Sequence, residues 1–370
     1  MTECPVCGRE AAVIADVIGM CARCASSASA DIRSRILSAH AASREQFDIP
    51  NEIPRAEDGI ACRLCANECR IAPGGLGYCG VRRNEKGRLQ GGTAAGAPVQ
   101  WYYDPLPTNC VAGWVCPGGS AAGYPAYSPV QGSEVGYKNL AVFYEACTFN
   151  CLYCQNYTFR DRTTLEGGER SAEELAAAVD PGTTCLCFFG GDPTPCLPHA
   201  LAASRLARTH RGDQPLRICW ETNGAMSPKL LKQMADLSIE SGGCVKFDLK
   251  AWDRHLHEAL CGVPNDRTLE NFRRLAERVD ERPDPPPVVA STLLVPGYVA
   301  EEEVRKIAEF IASLDKDIPY ALLGFTPNFY MSDLPKTSKG HARECKAVAE
   351  KAGLRRVRIG NLFVLGEDYE

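Results

Sequence analysis

Residues 140–154 read LAVFYEACTFNCLYC, an apolar run that ends at Tyr144 and leads into the cysteines at 147, 151 and 154. A short run this rich in apolar and aromatic side chains predicts a buried β-strand. Three thiolates on the loop that follows can hold three irons of a 4Fe–4S cluster, whose usual complement is four cysteines. The spacing therefore predicts that Cys147, Cys151 and Cys154 ligate a cluster with one open iron. A zinc site is the plainer alternative for the same thiols.

From about Gly136 onward, short apolar runs alternate with longer amphipathic segments, as in parallel α/β proteins. The predicted strands lie near Leu140–Tyr144, Cys185–Phe189, Arg217–Trp220, Val245–Leu249, Val288–Val295, Tyr320–Phe325 and Arg356–Ile359. The predicted helices begin at Ser171, with a capping box to Glu174, and cover about Pro228–Leu237, Leu269–Val279, Glu301–Leu314 and Gly340–Ala352. These units predict a partial or full (β/α) TIM-like barrel over 136–370, with its reactive groups at the C-terminal ends of the strands.

The composition is that of an ordinary globular chain except in its cysteine content. Of 370 residues, 45% are hydrophobic and 24% are charged, and the net charge of −5 provides no overall positive field for nucleic acid or anionic lipid. No secretory signal and no membrane-spanning run are present, so we expect a cytoplasmic protein without membrane partners. Twenty cysteines in a reducing compartment then indicate metal ligands or redox groups rather than disulfides.

The first cysteine group is a pair of C-x2-C knuckles formed by Cys4, Cys7, Cys21 and Cys24. Four thiolates in this pattern predict tetrahedral zinc or a rubredoxin-like iron. A module this short has little core, so its metal would supply folding free energy, and a structural role is favoured over electron transfer. A stretch with helical spacing continues to Glu45 and predicts a helical linker, which completes a first region over 1–58.

The second cysteine group lies in a region over 59–135 and consists of Cys62, Cys65, Cys69 and Cys79. Its spacing predicts a closed tetrathiolate site and leaves zinc and a second iron–sulfur cluster as open alternatives. The rest of the region is rich in Gly, Pro and Tyr and is predicted to be mostly loop. Its Cys110 and Cys116 are interpreted either as ligands of an auxiliary cluster or as buried thiols.

The remaining cysteines and several histidines receive structural interpretations. Small apolar filling of the core is expected from Cys185, Cys187, Cys219, Cys244 and Cys345. Cys196 and Cys261 follow strand-end loops and are expected near the reactive face, with radical quenching or cluster ligation as the less favoured alternative. No metal-ligand pattern joins His199, His255 and His257, which are expected at the surface.

Four further motifs fall at predicted strand ends: Phe188-Phe-Gly-Gly-Asp-Pro193, Trp220-Glu-Thr-Asn-Gly224, Lys246-Phe-Asp-Leu-Lys250 and Val295-Pro-Gly297. Together with the cysteine loop they resemble the radical S-adenosylmethionine (SAM) superfamily. Within it they resemble the glycyl-radical activating enzymes, of which pyruvate formate-lyase activating enzyme is the nearest well-known example. The run from Cys62 to Arg82 resembles the N-terminal module of the AmmeMemoRadiSam type.

The resemblance implies a role for each motif. SAM would chelate the open iron, and an electron from the cluster would cleave its sulfonium bond. The implied SAM-binding residues are Tyr153 against adenine, Gly190, Gly191 and Asp192 at the methionine ammonium, Asn223, Lys250 at the methionine carboxylate and Val295 beside adenosine. Asp192 stands where the family has Glu.

The resemblance also implies a monovalent cation bound by Glu221, Thr222 and Asp248. Carboxylates at adjacent strand ends repel each other unless a positive charge lies between them. A bound cation would remove this repulsion. The alternative is that Asp248 and Lys250 simply pair with each other.

These implications describe a radical SAM enzyme that abstracts hydrogen from a substrate the motifs do not identify. Glycyl radical enzyme activation, peptide modification and small-molecule modification are all compatible, and no catalytic residue is assigned. The expected partners are a low-potential electron donor such as flavodoxin or ferredoxin and a protein or peptide substrate. The alternative is a non-catalytic multi-cluster electron carrier or metal-binding scaffold, which would need neither the Gly190-Gly191-Asp192 loop nor Lys250.

Overall fold

The computed structural model describes residues 2–11, 13–161 and 168–369. Its strands are β1 Thr2–Glu3, β2 Glu10–Ala11, β3 Ile60–Ala61, β4 Arg70–Ile71, β5 Arg83–Glu85, β6 Arg88–Gln90, β7 Ala97–Pro105, β8 Lys138–Tyr144, β9 Glu169–Arg170, β10 Thr183–Gly190, β11 Arg217–Thr222, β12 Val245–Asp248, β13 Val288–Leu294, β14 Tyr320–Gly324 and β15 Val357–Ile359. Its helices are α1 Ala22–Ala25, α2 Ala30–Glu45, α3 Ala172–Ala177, α4 Leu197–Arg211, α5 Pro228–Ser241, α6 Arg254–Cys261, α7 Asp266–Ala276, α8 Glu301–Leu314 and α9 Lys339–Lys351. Within these ranges, no helix combines the length and apolar character needed to cross a membrane.

One curved sheet organises the chain. Nine of the described strands form it, in the order β15-β14-β13-β12-β11-β10-β8-β7-β9. Strands β8 and β10 to β15 run parallel, whereas β7 pairs antiparallel with β8, and β9 pairs antiparallel with β7. All seven predicted strands occur in the parallel part. Residues of β7 and β15 line the same internal cavity, so the sheet curves into the predicted partial barrel.

Strand alternation divides the side chains between the barrel interior and the surrounding helices. The rings of Phe188 and Trp220 stack with their centroids 4.5 Å apart, and Trp220 Nε1 donates to Ser238 Oγ of α5 at 3.0 Å. Their neighbours along each strand point to the opposite face. The helix-facing layer is therefore apolar and aromatic, while Cys187 and Cys219 face the interior of the barrel.

The helices confirm most of the sequence predictions. Ser171 caps α3 and forms the predicted capping box with Glu174. Helices α2, α5, α7, α8 and α9 also coincide with predicted segments. Helices α4 and α6 are absent from the sequence prediction. Because α4 is rich in alanine and α6 has only 8 residues, neither carries a long apolar period.

The prediction that residues 59–135 are mostly loop is wrong for β7. This strand pairs with the whole of β8, from Val99 opposite Tyr144 to Pro105 opposite Lys138. The last part of β7 is largely exposed, so its residues show no sustained apolar alternation. The pairing also carries the sheet across the predicted domain boundary at 135/136.

The N-terminal regions pack against the barrel rather than standing apart from it. Asn150, within the cysteine loop, donates to Ser43 Oγ of α2 at 2.8 Å. Asn67 of the second region donates to the carbonyl oxygen of Thr148 at 2.8 Å. Residues of both regions belong to the same hydrophobic core as the barrel. The predicted linker helix is therefore part of the wall around the cysteine loop.

The segment 106–137 closes the opposite end of the barrel. Its Glu134 is fully buried and accepts two hydrogen bonds of 2.6 Å from the guanidinium of Arg217, at the start of β11. Both side chains are almost inaccessible to solvent. Such a bidentate pair is stable only while both partners are present, since either one alone would be an uncompensated buried charge.

We expect Glu134→Ala to lower the free energy of unfolding by about 3–5 kcal/mol, because Arg217 would lose its counter-charge in a buried position. Glu240→Ala is the matched control, since it removes an exposed partner of Arg208 and should change stability by less than about 1 kcal/mol. Urea unfolding of both variants beside the wild-type chain measures the difference. Equal stability of the two variants would contradict the structural role of the Glu134–Arg217 pair.

Candidate functional site

The three cysteines of the LAVFYEACTFNCLYC stretch lie on the loop that leaves the C-terminal end of β8. Two backbone hydrogen bonds fasten this loop to the end of α6. The amide of Asn150 donates to the carbonyl of Cys261 at 2.8 Å, and the amide of Leu152 donates to the carbonyl of Leu260 at 3.0 Å. The positions of the thiols are therefore fixed by the backbone rather than by the side chains alone.

Cys147 receives hydrogen bonds at its sulfur atom. The amide of Phe149 donates to Cys147 Sγ at 3.4 Å, and Asn223 Nδ2 lies 3.8 Å from the same sulfur. Asn223 Nδ2 also donates to Thr148 Oγ1 at 2.8 Å. Asn223 follows β11, so this contact joins the cysteine loop to a second strand end.

Arg160 supplies a buried positive charge beside these thiols. The residue is 2% exposed, and its Nε and Nη1 have no hydrogen-bond partner among the described residues. Burial raises the pKa of Cys154, and the charge and hydrogen bond of Arg160 oppose that rise. A buried cation that has no carboxylate partner in the described part of the chain favours thiolates and a bound group of negative charge.

Cys261 adjoins the same loop through tertiary contacts. A hydrogen bond with the Cys261 thiol lowers the pKa of Cys151 to about 7. Tyr153 Oη lies 3.6 Å from Cys261 Sγ, and the Tyr153 ring meets Phe325 edge to face. The sequence places Cys261 only near the reactive face, because a contact between residues 110 positions apart leaves no local pattern.

The Gly190-Gly191 turn at the end of β10 has no room for side chains. A Cβ atom on Gly190 would overlap the ring of Phe143, and one on Gly191 would overlap the carbonyl oxygen of Tyr144. Gly191 also has a φ of +58°, which other residues rarely adopt. The backbone of β10 therefore comes close to the end of β8, and its polar groups lie next to the cysteine loop.

Both carboxylate oxygens of Asp192 accept hydrogen bonds from neighbouring residues. Oδ1 accepts from Thr222 Oγ1 at 2.7 Å and from the amide of Asn223 at 3.2 Å, and Oδ2 accepts from the amide of Thr194 at 3.2 Å. Burial raises the pKa of Asp192. This acid therefore ties the ends of β10 and β11 together.

The two carboxylates predicted to bind a cation, Glu221 and Asp248, each form an ion pair with a lysine. Asp248 accepts from Lys250 Nζ at 2.9 Å, which is the alternative pairing considered from the sequence. Glu221 accepts from Lys246 Nζ at 2.8 Å inside the barrel. Each carboxylate thus has its own ammonium, and repulsion between Glu221 and Asp248 no longer supplies a reason for a cation. Thr222 points to the opposite face of β11 from Glu221, and the cation site stays a prediction.

The cysteine loop and the strand ends described above lie in a segment that matches a protein-family model. Residues 141–311 match the family model described as the radical SAM superfamily. This chain carries a radical SAM domain. Its matched residues run from β8, whose end carries the cysteine loop, into α8.

Several curated relatives that are similar to this chain are named as activating enzymes. The isethionate sulfite-lyase activating enzyme of Desulfovibrio desulfuricans is 34% identical over 145 residues, which cover 38% of this chain and 42% of that protein. The pyruvate formate-lyase 1-activating enzyme of Escherichia coli is 28% identical over 192 residues, which cover 49% of this chain and 74% of that protein. A solved domain of pyruvate-formate lyase-activating enzyme from Bacteroides vulgatus aligns with 25% identity over 47% of this chain and 98% of that chain, with a TM-score of 0.38. The radical SAM domain and the two curated relatives indicate an enzyme.

The donor set of the radical SAM domain fits a thiolate-ligated cluster. Three cysteines on one loop supply fewer than the usual four ligands, and buried Arg160 offsets their negative charge. The tight Gly190-Gly191 turn fits the backbone approach that the motif predicts. The SAM contacts predicted for Tyr153, Asn223, Lys250 and Val295 stay predictions. Of these residues, Tyr153 and Val295 are buried against the core.

The first cysteine group has the geometry of a site for a single metal ion. The sulfurs of Cys4, Cys7, Cys21 and Cys24 all lie within 4.8 Å of one another. Cys4 Sγ lies 3.9 Å from Cys24 Sγ, and Cys7 Sγ lies 3.9 Å from Cys21 Sγ. Zinc–sulfur bonds of ~2.3 Å place the sulfurs of a tetrahedral site about 3.8 Å apart. The donors therefore fit one zinc or one rubredoxin-like iron.

The second cysteine group is spaced more widely. Burial, reinforced by neighbouring thiols of the group, raises the pKa of Cys65 well above its ordinary value. Two sulfurs bound to one zinc can be at most about 4.6 Å apart, twice the bond length. Among the described residues, the first group is the one set of three or more potential ligands that lie mutually within 4.8 Å. Cys62, Cys65, Cys69 and Cys79 therefore do not close round one ion as they stand, and zinc and a second cluster stay alternatives.

The scattered cysteines are buried in the core or packed against it, as the sequence predicts. Cys187, Cys219 and Cys244 belong to a small hydrophobic cluster, and Cys110, Cys116 and Cys185 pack against it. The same six thiols line an internal cavity. Cys345 is buried in the core as expected, and Cys196 is buried as well.

The expectation of surface positions is wrong for two of the three histidines. His199 and His257 are fully buried. His199 Nδ1 lies 2.8 Å from Tyr144 Oη, and His257 Nδ1 lies 2.7 Å from the carbonyl oxygen of Val263. His199 has a partner at each ring nitrogen, Tyr144 Oη and the carbonyl oxygen of Arg170, and both are distant in sequence. His257 has one such partner, and its Nε2 has none among the described residues.

We expect the protein to bind one zinc or one rubredoxin-like iron at the first cysteine group. Cys7→Ser/Cys21→Ser should lose this ion and lower the melting temperature, because the metal supplies much of the folding free energy of a small module. Metal analysis by mass spectrometry and thermal unfolding measure the two effects. Cys345→Ser, in the core of α9, is the control and should retain the ion. Unchanged metal content in the double variant would contradict the assignment.

Proposed function

We propose that this protein is a radical SAM enzyme that cleaves SAM reductively to a 5′-deoxyadenosyl radical and uses it to abstract a hydrogen atom from a protein substrate. The observation that carries the proposal is the cysteine loop at the end of β8, with three thiols and the buried guanidinium of Arg160 inside a radical SAM domain. When bound, a 4Fe–4S cluster would supply the electron for this cleavage.

The residues of this chain would hold and orient the reactants. Cys147, Cys151 and Cys154 would ligate the cluster, and Arg160 would offset the charge of the thiolates. Donors at Cys147 Sγ from Phe149 and Asn223 stabilise negative charge on that sulfur. These contacts are made by groups of the protein itself, so they orient donors toward the Cys147 sulfur.

Lys250 is the residue proposed to bind the methionine carboxylate. Its side chain is 15% exposed, and its present partner Asp248 is 42% exposed. Burial works against the charge of Lys250, but the carboxylate of Asp248 and nearby thiols raise its pKa above the ordinary value. The ammonium is therefore charged at neutral pH and can exchange Asp248 for the carboxylate of SAM. Once Lys250 binds SAM, Asp248 needs another counter-charge. We therefore propose a monovalent cation beside Asp248.

The names of the relatives support a protein as the substrate. Both curated relatives described above are named as activating enzymes of another enzyme. We therefore propose activation of a partner enzyme of the glycyl radical kind, with electrons from a low-potential donor such as flavodoxin or ferredoxin. Modification of a peptide or a small molecule is the competing possibility, because the site residues described above bind the cofactors and not the substrate.

We expect anaerobically reconstituted protein to form 5′-deoxyadenosine from SAM in the presence of a reductant, and Cys151→Ala to abolish it, because the loop would lose one of its three iron ligands. Chromatography of the quenched reaction measures the product, with Cys345→Ala as the control that keeps it. Undiminished product from Cys147→Ala/Cys151→Ala/Cys154→Ala would exclude the proposed site. No product from wild-type protein with a full cluster would favour an electron carrier or scaffold.

We expect Lys250→Met to weaken SAM binding by roughly 10- to 100-fold, the range for loss of one charge-assisted hydrogen bond. The absorption spectrum of the cluster should stay unchanged, since Lys250 is not a ligand. Equilibrium binding of SAM to reconstituted protein measures the effect, and Lys232→Met, on the exposed face of α5, is the control. Equal affinities in the two variants would show that Lys250 does not contact the cosubstrate.

A further inference from the structure

The barrel encloses a cavity of about 740 Å³ below the proposed cluster site. Six of the 20 cysteines line it: Cys110, Cys116, Cys185, Cys187, Cys219 and Cys244. The cavity also includes Glu221 and Lys246, which stand two residues before Asn223 and Asp248. Two residues of a strand span roughly 6.6 Å. The cavity therefore begins about one layer of side chains below the rim of the barrel.

Three of these cysteines form a row across adjacent strands. Cys187 of β10 is the register partner of Cys219 in β11. Trp220 pairs with Val245, so Cys219 lies beside Cys244, just before β12. Neighbouring strands lie roughly 4.8 Å apart, and all three side chains face the interior. The parallel register thus aligns three sulfurs along one inner wall.

A fourth cysteine reaches this wall from the closing segment 106–137. Lys246 Nζ lies 3.2 Å from Cys110 Sγ and 3.2 Å from Cys187 Sγ, so one buried ammonium joins the segment to the row. Cys219 lies between Cys187 and Cys244 in this row. The sulfurs of four structural elements therefore converge on one part of the cavity.

The buried charged groups of the cavity wall are paired with each other, whereas Asp104 and Arg358, which also line the cavity, are at least partly exposed. Lys246 is paired with Glu221 at 2.8 Å, and Arg217 is paired with Glu134 at 2.6 Å. An organic ion bound by Lys246 or Arg217 would have to break one of these buried pairs, which is costly. Soft thiolate ligands select zinc, copper(I) and iron–sulfur clusters.

We propose that Cys110, Cys187, Cys219 and Cys244 bind an auxiliary iron–sulfur cluster inside the barrel. Four cysteines are the usual complement of such a cluster. No three potential ligands of the cavity, as described, lie mutually within 4.8 Å, whereas sulfurs that share one zinc lie within about 4.6 Å. The sulfurs of the cavity as described therefore do not close round one zinc ion, whereas a cluster extends over several atoms. Lys246 offsets its charge and donates to the sulfurs of Cys110 and Cys187.

This proposal is independent of the proposed SAM cleavage. The loop cysteines follow the C-terminal end of β8, whereas the cavity cysteines lie inside the barrel. The auxiliary cluster shares no ligand with the loop. The two proposals can therefore fail separately.

The test uses the full chain carrying Cys147→Ala/Cys151→Ala/Cys154→Ala, so that the loop cluster cannot contribute. After anaerobic reconstitution with iron and sulfide, adding Cys187→Ser/Cys219→Ser should lower iron and acid-labile sulfide by about two each for a 2Fe–2S cluster or about four each for a 4Fe–4S cluster. Mössbauer spectroscopy of both proteins should show the loss of one cluster signal. Adding Cys345→Ser instead is the control and should change neither content nor spectrum.

Equal iron and sulfide in the Cys187→Ser/Cys219→Ser protein and in the Cys345→Ser control would overturn the proposal. Retention of the metal at the first cysteine group, together with an unchanged circular dichroism spectrum, shows that the variant is folded. If the double variant does not fold, Cys110→Ser and Cys244→Ser are compared singly in the same way. Each should lose the same cluster signal, and full retention in both would also overturn the proposal.

Discussion

The register of the parallel strands determines which side chains meet in this protein. Parallel strands bring their C-terminal ends to one edge and point alternate residues to one face. In β10 and β11 the first property brings the Gly190-Gly191 turn next to Asn223 and the cysteine loop. The second property aligns Cys187 with Cys219 on the inner wall. A shift of one residue in either strand would exchange the cysteines for Phe188 and Trp220, which belong to the helix-facing core.

The cysteine loop also depends on the regions that precede the barrel in the chain. Asn150 lies between two loop cysteines, and its side chain donates to Ser43 Oγ and to His40 Nδ1, at 2.8 and 3.0 Å. Burial lowers the pKa of His40 to about 4, so its ring is neutral at physiological pH and brings no extra charge to the loop. The N-terminal helix α2 therefore holds the loop by hydrogen bonds and packing, while Arg160 supplies the charge.

Buried charges inside the barrel are arranged in pairs from one end to the other. Glu134 with Arg217 lies at the closed end, Glu221 with Lys246 lies in the middle, and Asp248 with Lys250 lies at the rim. Burying a paired charge costs less free energy than burying an unpaired one. Arg160 differs from these residues because two of its nitrogens have no partner among the described residues. Its position beside Cys151 and Cys154 is where a negatively charged cofactor is proposed.

The sequence by itself determined the positions of the parallel strands, most of the helices and the cysteine loop, because these follow from local apolar periods and from close spacing of ligands. It also determined the first cysteine group, whose four sulfurs close to single-ion distances. The pairing of β7, the burial of His199 and His257, and the contact of Cys261 with Cys151 were decided by the tertiary structure. The same is true of the lysine partners of Glu221 and Asp248, which are Lys246 and Lys250. Cysteines 110, 187, 219 and 244 are scattered over more than 130 positions and look like core residues one at a time. Only the register of the strands and the closing segment brings them together, because contacts between distant residues depend on how the chain folds and leave no pattern in the local sequence.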